Sequence, residues 1–574
     1  MKNNTNGRRK FIKNSGLALG LLSLNENLLI SGEYKISSKV ILKKLSIIND
    51  SKIKRLLPMQ INKANSRWNG GVMDIYHVPN AHSTMNFIIK LSSSYASPYS
   101  KFYQSRKLES AMTRAMNCIV EVQHDDGTID LHSTNFHSTP DTAFFVNYLS
   151  PVYLTLKSLN QPQLANLIRS FEIFFKNTSK CLLVGGAHTA NHRWVICSAL
   201  ARINHFFPSP KLISRIEVWL NEGIDLDPDG QYSERSVGSY SHVCNEMFIT
   251  MGRLLNRSDL LDVARKNLDM TLYYIQPGGE VFSDASRRDD SHEIQDVSGY
   301  YFSYLYFSHL DKNPVYSAVC DLIENKLTNK LIHFVPYLLE NQILLNKRVY
   351  PTKIPTSYFK RYKHSGVFRF RQSNFDVSIL ENNLTFLNLI KGSAVLQSMR
   401  LGSTFFGTRG QFKAENAEVK KNKVTLSKSV KHGYFQPFPK DKIPGDGVYS
   451  KMPRELRRLS EPQEINYLIT ITFLDKRATV DIKVTGTDNV LVSLEMNFRK
   501  GGKFSGVITD KNRSDSYFLK EGYGAYTKDG SVINFGPGKI EHQWGTMRGM
   551  NEKPYGNTVY INGHTPFEHT LEIY

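Results

Sequence analysis

Between about residue 60 and residue 345 the apolar positions recur every three or four residues; after about residue 360 they recur every two. The first spacing places one apolar stripe on a helix. It predicts helices over 108–123, 146–159, 163–182, 192–207, 210–222, 240–255, 259–275 and 314–327. Ser209-Pro210 and Ser258-Asp259 supply cap and first-turn residues for two of them. Helices of similar length on short links predict antiparallel hairpins packed side by side, as in an (α/α) toroid. The second spacing predicts strands at 367–371, 467–473, 478–484 and 490–496, punctuated by turn residues at 486–489 and 528–530. A run of helices followed by a run of strands describes an α+β multidomain chain. The helical domain is expected over 32–350 and an antiparallel β-sandwich over 351–574, joined in the Pro- and Lys-containing stretch 346–362. Lys413 to Lys431 reads as a charged, weakly patterned insertion, a loop beside a cleft.

Length and composition agree with this division. A chain of 574 residues is too long for one ordinary core, and 40% hydrophobic residues are enough for globular domains. The net charge of +21 points to an anionic partner. No long Lys/Arg block and no RNA-binding or zinc-finger signature accompanies it, so nucleic acid is not expected. Arg8-Arg9-Lys10-Phe11-Ile12-Lys13 precedes a short apolar run, Gly16 to Leu24, in the manner of a twin-arginine export signal. Residues 1–31 are read as that signal, and the protein as periplasmic or secreted. The run is far short of the roughly 20 residues that a membrane span needs. Five scattered cysteines without CxxC spacing read as buried free thiols, not as a disulfide framework or a metal site.

Candidate chemistry gathers in four polar segments. The first, His188 to Arg193, follows Gly185-Gly186 and carries Asn191 and His192 at a predicted helix start, with Trp194 beyond. Asn and His together can hydrogen-bond a uronate carboxylate and make the adjacent carbon acidic. The alternative is a capping Asn beside a core His. A His188/His192 metal pair lacks a third ligand, so no metal is assigned and no cofactor is required. The second segment, Asp229 to His242, supplies Tyr232, Glu234, Arg235 and Tyr240. A tyrosine base needs help against its reference pKa near 10, which the charge of Arg235 would give. The third, His124 to Thr142, offers Asn135 and His137 for sugar binding, with Asp141 as a helix cap. The fourth runs from Pro277 to Arg288, where Arg287 and Arg288 suit a carboxylate or sulfate, or a surface salt bridge.

These segments, in this order, resemble the heparinase II/III-like polysaccharide lyases and the related alginate and glucuronan lyases. The resemblance rests on Asn191-His192, on Asp229-Gly230, Tyr232, Glu234-Arg235 and Tyr240, on Pro277-Gly278-Gly279 to Ser283-Asp284-Ala285-Ser286, and on Ser365 to Arg371. It implies an α/α toroid joined to an antiparallel β-sandwich, with metal-independent β-elimination. Asn191 and His192 would neutralise the carboxylate, and Tyr240 would act as base or acid. The family's His-rich strand motif on the β domain is missing here; Tyr434, beside His432, and His542 are the substitutes. A structural ion in the β domain is left open.

The expected activity is therefore cleavage of a uronate-containing polysaccharide of the glucuronan, alginate or glycosaminoglycan class. Two rivals remain. A glycoside hydrolase on a helical toroid would need two opposed carboxyl groups, drawn from Asp126, Glu234 and Asp284. A non-catalytic glycan-binding protein would use basic residues and aromatics such as Trp194 and Trp544.

Overall fold

The computed structural model describes residues 38–443 and 446–574. The twin-arginine segment and its apolar run lie outside these residues. The chain forms two compact units. One comprises 38–225, 242–265 and 298–353; the other comprises 226–241, 266–297 and 354–574. The last break between them falls at 353/354. Two segments from the helical half of the sequence nevertheless group with the strands.

The first unit is built of helices, including Ser38–Leu56, Ala81–Ala96, Arg106–Val122, Thr139–Ser158, Ala165–Val184, Ala190–Phe206 and Pro210–Leu220. Neighbours in sequence pack as neighbours in space: Ala81–Ala96 on Arg106–Val122, and Ala190–Phe206 on Pro210–Leu220. Arg106–Val122 shows why the pattern was readable. Leu108, Ala111, Met112, Ala115, Met116, Ile119 and Val122 are buried on one face at three- and four-residue spacing. Ala81–Ala96 escaped that reading because serines and Thr84 are buried in it along with its apolar residues. Thr139–Ser158 is capped by Ser138, whose hydroxyl accepts from the Asp141 N–H. Asp141, expected as the cap, instead accepts from Ser138 and Asn135. The five cysteines are buried and free, as expected.

The second unit contains an eight-stranded and a nine-stranded sheet, antiparallel except where Ser516–Phe518 runs parallel to Asn557–His564. Period two is explicit where Leu459–Leu474 pairs with Arg477–Gly486. Ile465, Tyr467, Ile469, Ile471 and Phe473 are buried, as are Ala478, Val480, Ile482 and Val484 on the partner. These residues meet Leu387, Leu389, Leu396, Met399 and Leu494 of the other sheet in one apolar core. Lys413 to Lys431 is not a loop: Asn416–Lys420 and Lys423–Phe435 form an antiparallel hairpin. Only Val424 and Leu426 are buried near its turn. Two inward residues among many lysines are too few for the alternation to stand out.

The segment 266–297 is fastened to the strands by buried cations. Arg369 donates from Nε to the Tyr273 carbonyl at 3.0 Å and pairs with Asp376, which is also fully buried. Arg371 donates to the Ile275 carbonyl at 2.9 Å. Such anchoring explains why this stretch groups with the sheets.

Candidate functional site

In the helical unit, Asn191 lies in the first turn of Ala190–Phe206, whose N-cap is Thr189. The alternative of a capping Asn does not hold: Asn191 lies two residues past the cap and is only 1% exposed. The Thr189 hydroxyl donates to Asn191 Oδ1 at 2.8 Å. That bond fixes the amide orientation, and Nδ2 is left buried with no acceptor among the described residues. His192 is half-buried, edge-on to Phe144 at 6.1 Å and to the exposed His188 at 4.6 Å between ring centroids. The buried donor, the imidazole and the exposed His188 thus gather at one helix start.

Their sequence neighbours are committed elsewhere. Arg193 reaches Asp225 at 3.1 Å and Glu222 at 3.3 Å, and its guanidinium covers the Trp194 ring. Trp194 is 0% exposed, and its indole N–H donates to Asp225 at 2.9 Å. The ring has no open face for a sugar.

The polar stretch 124–142 folds into a short hairpin, Ile129–Leu131 with Asn135–Ser138. Its imidazoles are paired with carboxylates: His137 with Asp126 at 2.7 Å, His124 with Asp130 at 2.9 Å. The two rings stack at 3.9 Å. Burial would raise the Asp126 pKa, but hydrogen bonds from Thr128 and His137 outweigh it and hold the carboxyl down at about 2. A hydrolytic acid needs the opposite shift. Asn135 donates its amide to Asp141 at 2.8 Å.

In the sheet unit, Tyr240 is half-buried and the Arg288 guanidinium lies over its ring, 4.8 Å from the centroid. Arg288 also pairs with Glu234 at 2.9 Å. Arg235 was expected to be the charge beside the tyrosine. It adopts a left-handed φ of 53° and donates to the carbonyls of His364 and Ser365 at 2.7 and 2.8 Å. The cation against Tyr240 is therefore Arg288. Arg287 is exposed; its guanidinium donates to the Ser233 carbonyl at 3.4 Å and its backbone N–H to the Glu234 carbonyl at 3.0 Å. Tyr232 is buried beside this segment. Asp290 accepts from the Gly238 N–H at 3.0 Å and from Ser286 at 2.5 Å, tying the loop to the Tyr240 segment.

The two strand-region substitutes differ. His542 accepts the Trp544 N–H on Nδ1 and faces the carbonyls of Val492 and Gly563 with Nε2, at 3.2 and 3.1 Å; both nitrogens serve the local fold. Tyr434 is 61% exposed, and Phe406 lies edge-on to both it and His432. Among the described residues no group of three or more His, Cys, Asp or Glu could hold a metal ion. Sequence reasoning missed Thr189, whose signal is the Thr-x-Asn spacing, and Asn388, an isolated polar residue in the apolar strand Leu387–Lys391.

No family model and no curated protein matches the chain. Solved structures do. Heparinase III aligns with a TM-score of 0.55 and 10% identity, over 98% of this chain and 88% of that one. The chondroitin AC lyase of Streptomyces coelicolor A3, in complex with chondroitin sulphate, gives 0.55 and 11%, over 95% and 80%. A mutant of the heparan sulfate lyase HepC from Pedobacter heparinus gives 0.51 and 11%, over 92% and 82%. At these identities the likeness is one of architecture: the chain shares the fold of the heparinase and chondroitin AC lyases.

Proposed function

We propose that the protein is an exported polysaccharide lyase that cleaves a uronate-containing anionic polysaccharide by β-elimination, with its helices arranged as an α/α toroid. The observation that carries this reading is the Asn191 amide: a buried, oriented N–H with no acceptor of its own. A buried unpaired donor costs roughly 1–3 kcal/mol, and a uronate carboxylate would relieve that cost while its own charge is neutralised. His192 supplies the second contact to the carboxylate. With the charge withdrawn, the C5 proton of the uronate becomes acidic. Tyr240, with Arg288 over its ring, takes that proton. The electron pair forms the C4–C5 double bond as the C4–O bond breaks, and the departing oxygen receives a proton. Stabilising the enolate-like intermediate contributes most to the rate. Arg287, His188 and Tyr434 are the proposed contacts to the flanking chain.

The net charge of +21 supports an anionic substrate. The fold neighbours are lyases of heparan sulfate and chondroitin. No helix among the described residues is long and apolar enough to cross a membrane. Export rests on the twin-arginine pattern. Mass spectrometry of the products tests the reaction class. Each elimination gives one fragment whose new non-reducing end is an unsaturated uronate, one water lighter than the same fragment made by hydrolysis; the departing fragment has the same mass either way. A new non-reducing end that carries the added water, with no unsaturated one, would replace the lyase reading with a hydrolase.

A further inference from the structure

The loop from Phe282 to Glu293 does more than hold Arg288 against Tyr240. Its two ends line a recess of about 40 Å3 within the sheet unit, with Asp284 and His292 on one side and Asn388 of Leu387–Lys391 opposite. On that measure a water needs roughly 10–15 Å3, so the space suits a hydroxyl or hydroxymethyl group.

Its polar groups are oriented. Asn388 is 5% exposed and donates its amide N–H to the Asp284 carboxylate. That bond decides which way the amide faces. Oδ1 is then buried with no donor among the described residues. His292, at a left-handed φ of 62°, places Nδ1 3.2 Å from the other Asp284 oxygen. Nδ1 therefore carries a proton, and Nε2 is left for a ligand. Burial alone would lower the His292 pKa, but the hydrogen bond and charge of Asp284 raise it above its ordinary value. Glu280 also lines the recess, held by Arg499 through two bonds of 2.8 and 3.0 Å.

This lining selects by chemistry. An anion would meet Asp284, Glu280 and the Asn388 oxygen, while the cationic groups of the lining, Arg499 and His292, are already paired with Glu280 and Asp284. A metal ion finds no group of three ligating side chains among the described residues. A hydroxyl donates to Asn388 Oδ1 and accepts from Nε2 of protonated His292, the form that Asp284 favours. We propose that the recess is a subsite for an unsubstituted sugar hydroxyl, one that admits the free hydroxyl of a glycan and rejects the same position when O-sulfated. The proposal rests on the lyase reading for its substrate class. It places the selecting group on the loop that also carries Arg288.

The test is binding, read by saturation-transfer NMR and calorimetry. The probes are unsulfated chondroitin and heparosan hexasaccharides, with their O-sulfated counterparts. Wild-type protein should bind at least one unsulfated probe at least tenfold more tightly than its sulfated counterpart. Asn388→Leu should lose about tenfold for the free-hydroxyl form and abolish the preference, whereas Asn388→Ser, which keeps an acceptor, should retain part of it. His292→Gln, on the exposed side of the recess, should weaken the same probe several-fold and carries the test if Asn388→Leu does not fold. Equal binding of sulfated and unsulfated probes overturns the proposal. So does wild-type affinity in Asn388→Leu, which would mean the recess holds only water, or no binding of any unsulfated probe. Sulfate discrimination without double-bond formation would sink the lyase reading alone; double-bond formation without discrimination would sink the recess alone.

Discussion

In the proposed elimination, the cost of the unpaired Asn191 donor in the free protein is relieved by the substrate carboxylate. The amide is turned by Thr189, and its donor is buried with no acceptor among the described residues. Asn191→Ala should lower kcat by about 10²–10³, the range for losing one donor to a developing oxyanion, with the fold unchanged by circular dichroism. Thr189 acts only through Asn191. Thr189→Val should lower kcat by about tenfold with little change in KM, and Thr189→Ser, which keeps the hydroxyl, should restore it; equal losses in both variants would show that the hydroxyl is not what orients Asn191. Tyr240→Phe should remove most turnover and leave melting unchanged. The Asn191-His192 pair was legible because two polar residues open a helix after a glycine loop. The amide's orientation was not, because it depends on a hydroxyl two residues away. Nor was the true neighbour of Tyr240. Arg235 is five residues off in sequence but turned away by its left-handed backbone, while Arg288 arrives from a distant loop.

Secondary-structure elements were legible wherever one face was apolar and the other polar. Arg106–Val122 and the strand pair 459–486 follow their periods residue by residue. Ala81–Ala96 and the hairpin 416–435 do not, the first because it buries polar residues, the second because lysines dominate it. Buried ionisable groups give element-scale predictions. Arg369 joins one strand to Asp376 on the next and to the Tyr273 carbonyl. Arg369→Leu would leave Asp376 buried without its full partner, and should cost about 3–5 kcal/mol in denaturant unfolding. A value within error of wild type would show that the pair is dispensable. Glu246, 3% exposed on Ser241–Leu254, has its pKa pushed by burial up to about 8 against an ordinary 4.5, an effect the charge of Arg202 opposes. Between those values the unfolded chain ionises while the folded protein keeps the proton. The stability from this group is thus intact below pH 4.5 and is lost as pH rises through about 8. Glu246→Gln should melt near wild type at pH 4.5 and several degrees higher above pH 8. A difference that does not change with pH would contradict this.

At the scale of the whole molecule, the change of period near residue 350 announced helices before it and strands after it. What the sequence could not disclose is that 226–241 and 266–297 group with the strands. Their attachment runs through backbone carbonyls accepting from Arg235, Arg369 and Arg371, and a carbonyl leaves no mark in a sequence. The basic charge and an oriented donor with no acceptor among the described residues are what the proposed acidic-glycan substrate rests on. The central claim is elimination, and its direct test is ultraviolet absorbance of the mature protein mixed separately with glucuronan, alginate, hyaluronan, chondroitin, heparan sulfate and ulvan. A rise from the new conjugated double bond on at least one glycan, lost in Asn191→Ala, is the predicted result. New saturated reducing ends without that absorbance, or an undiminished rise in Asn191→Ala, would contradict it.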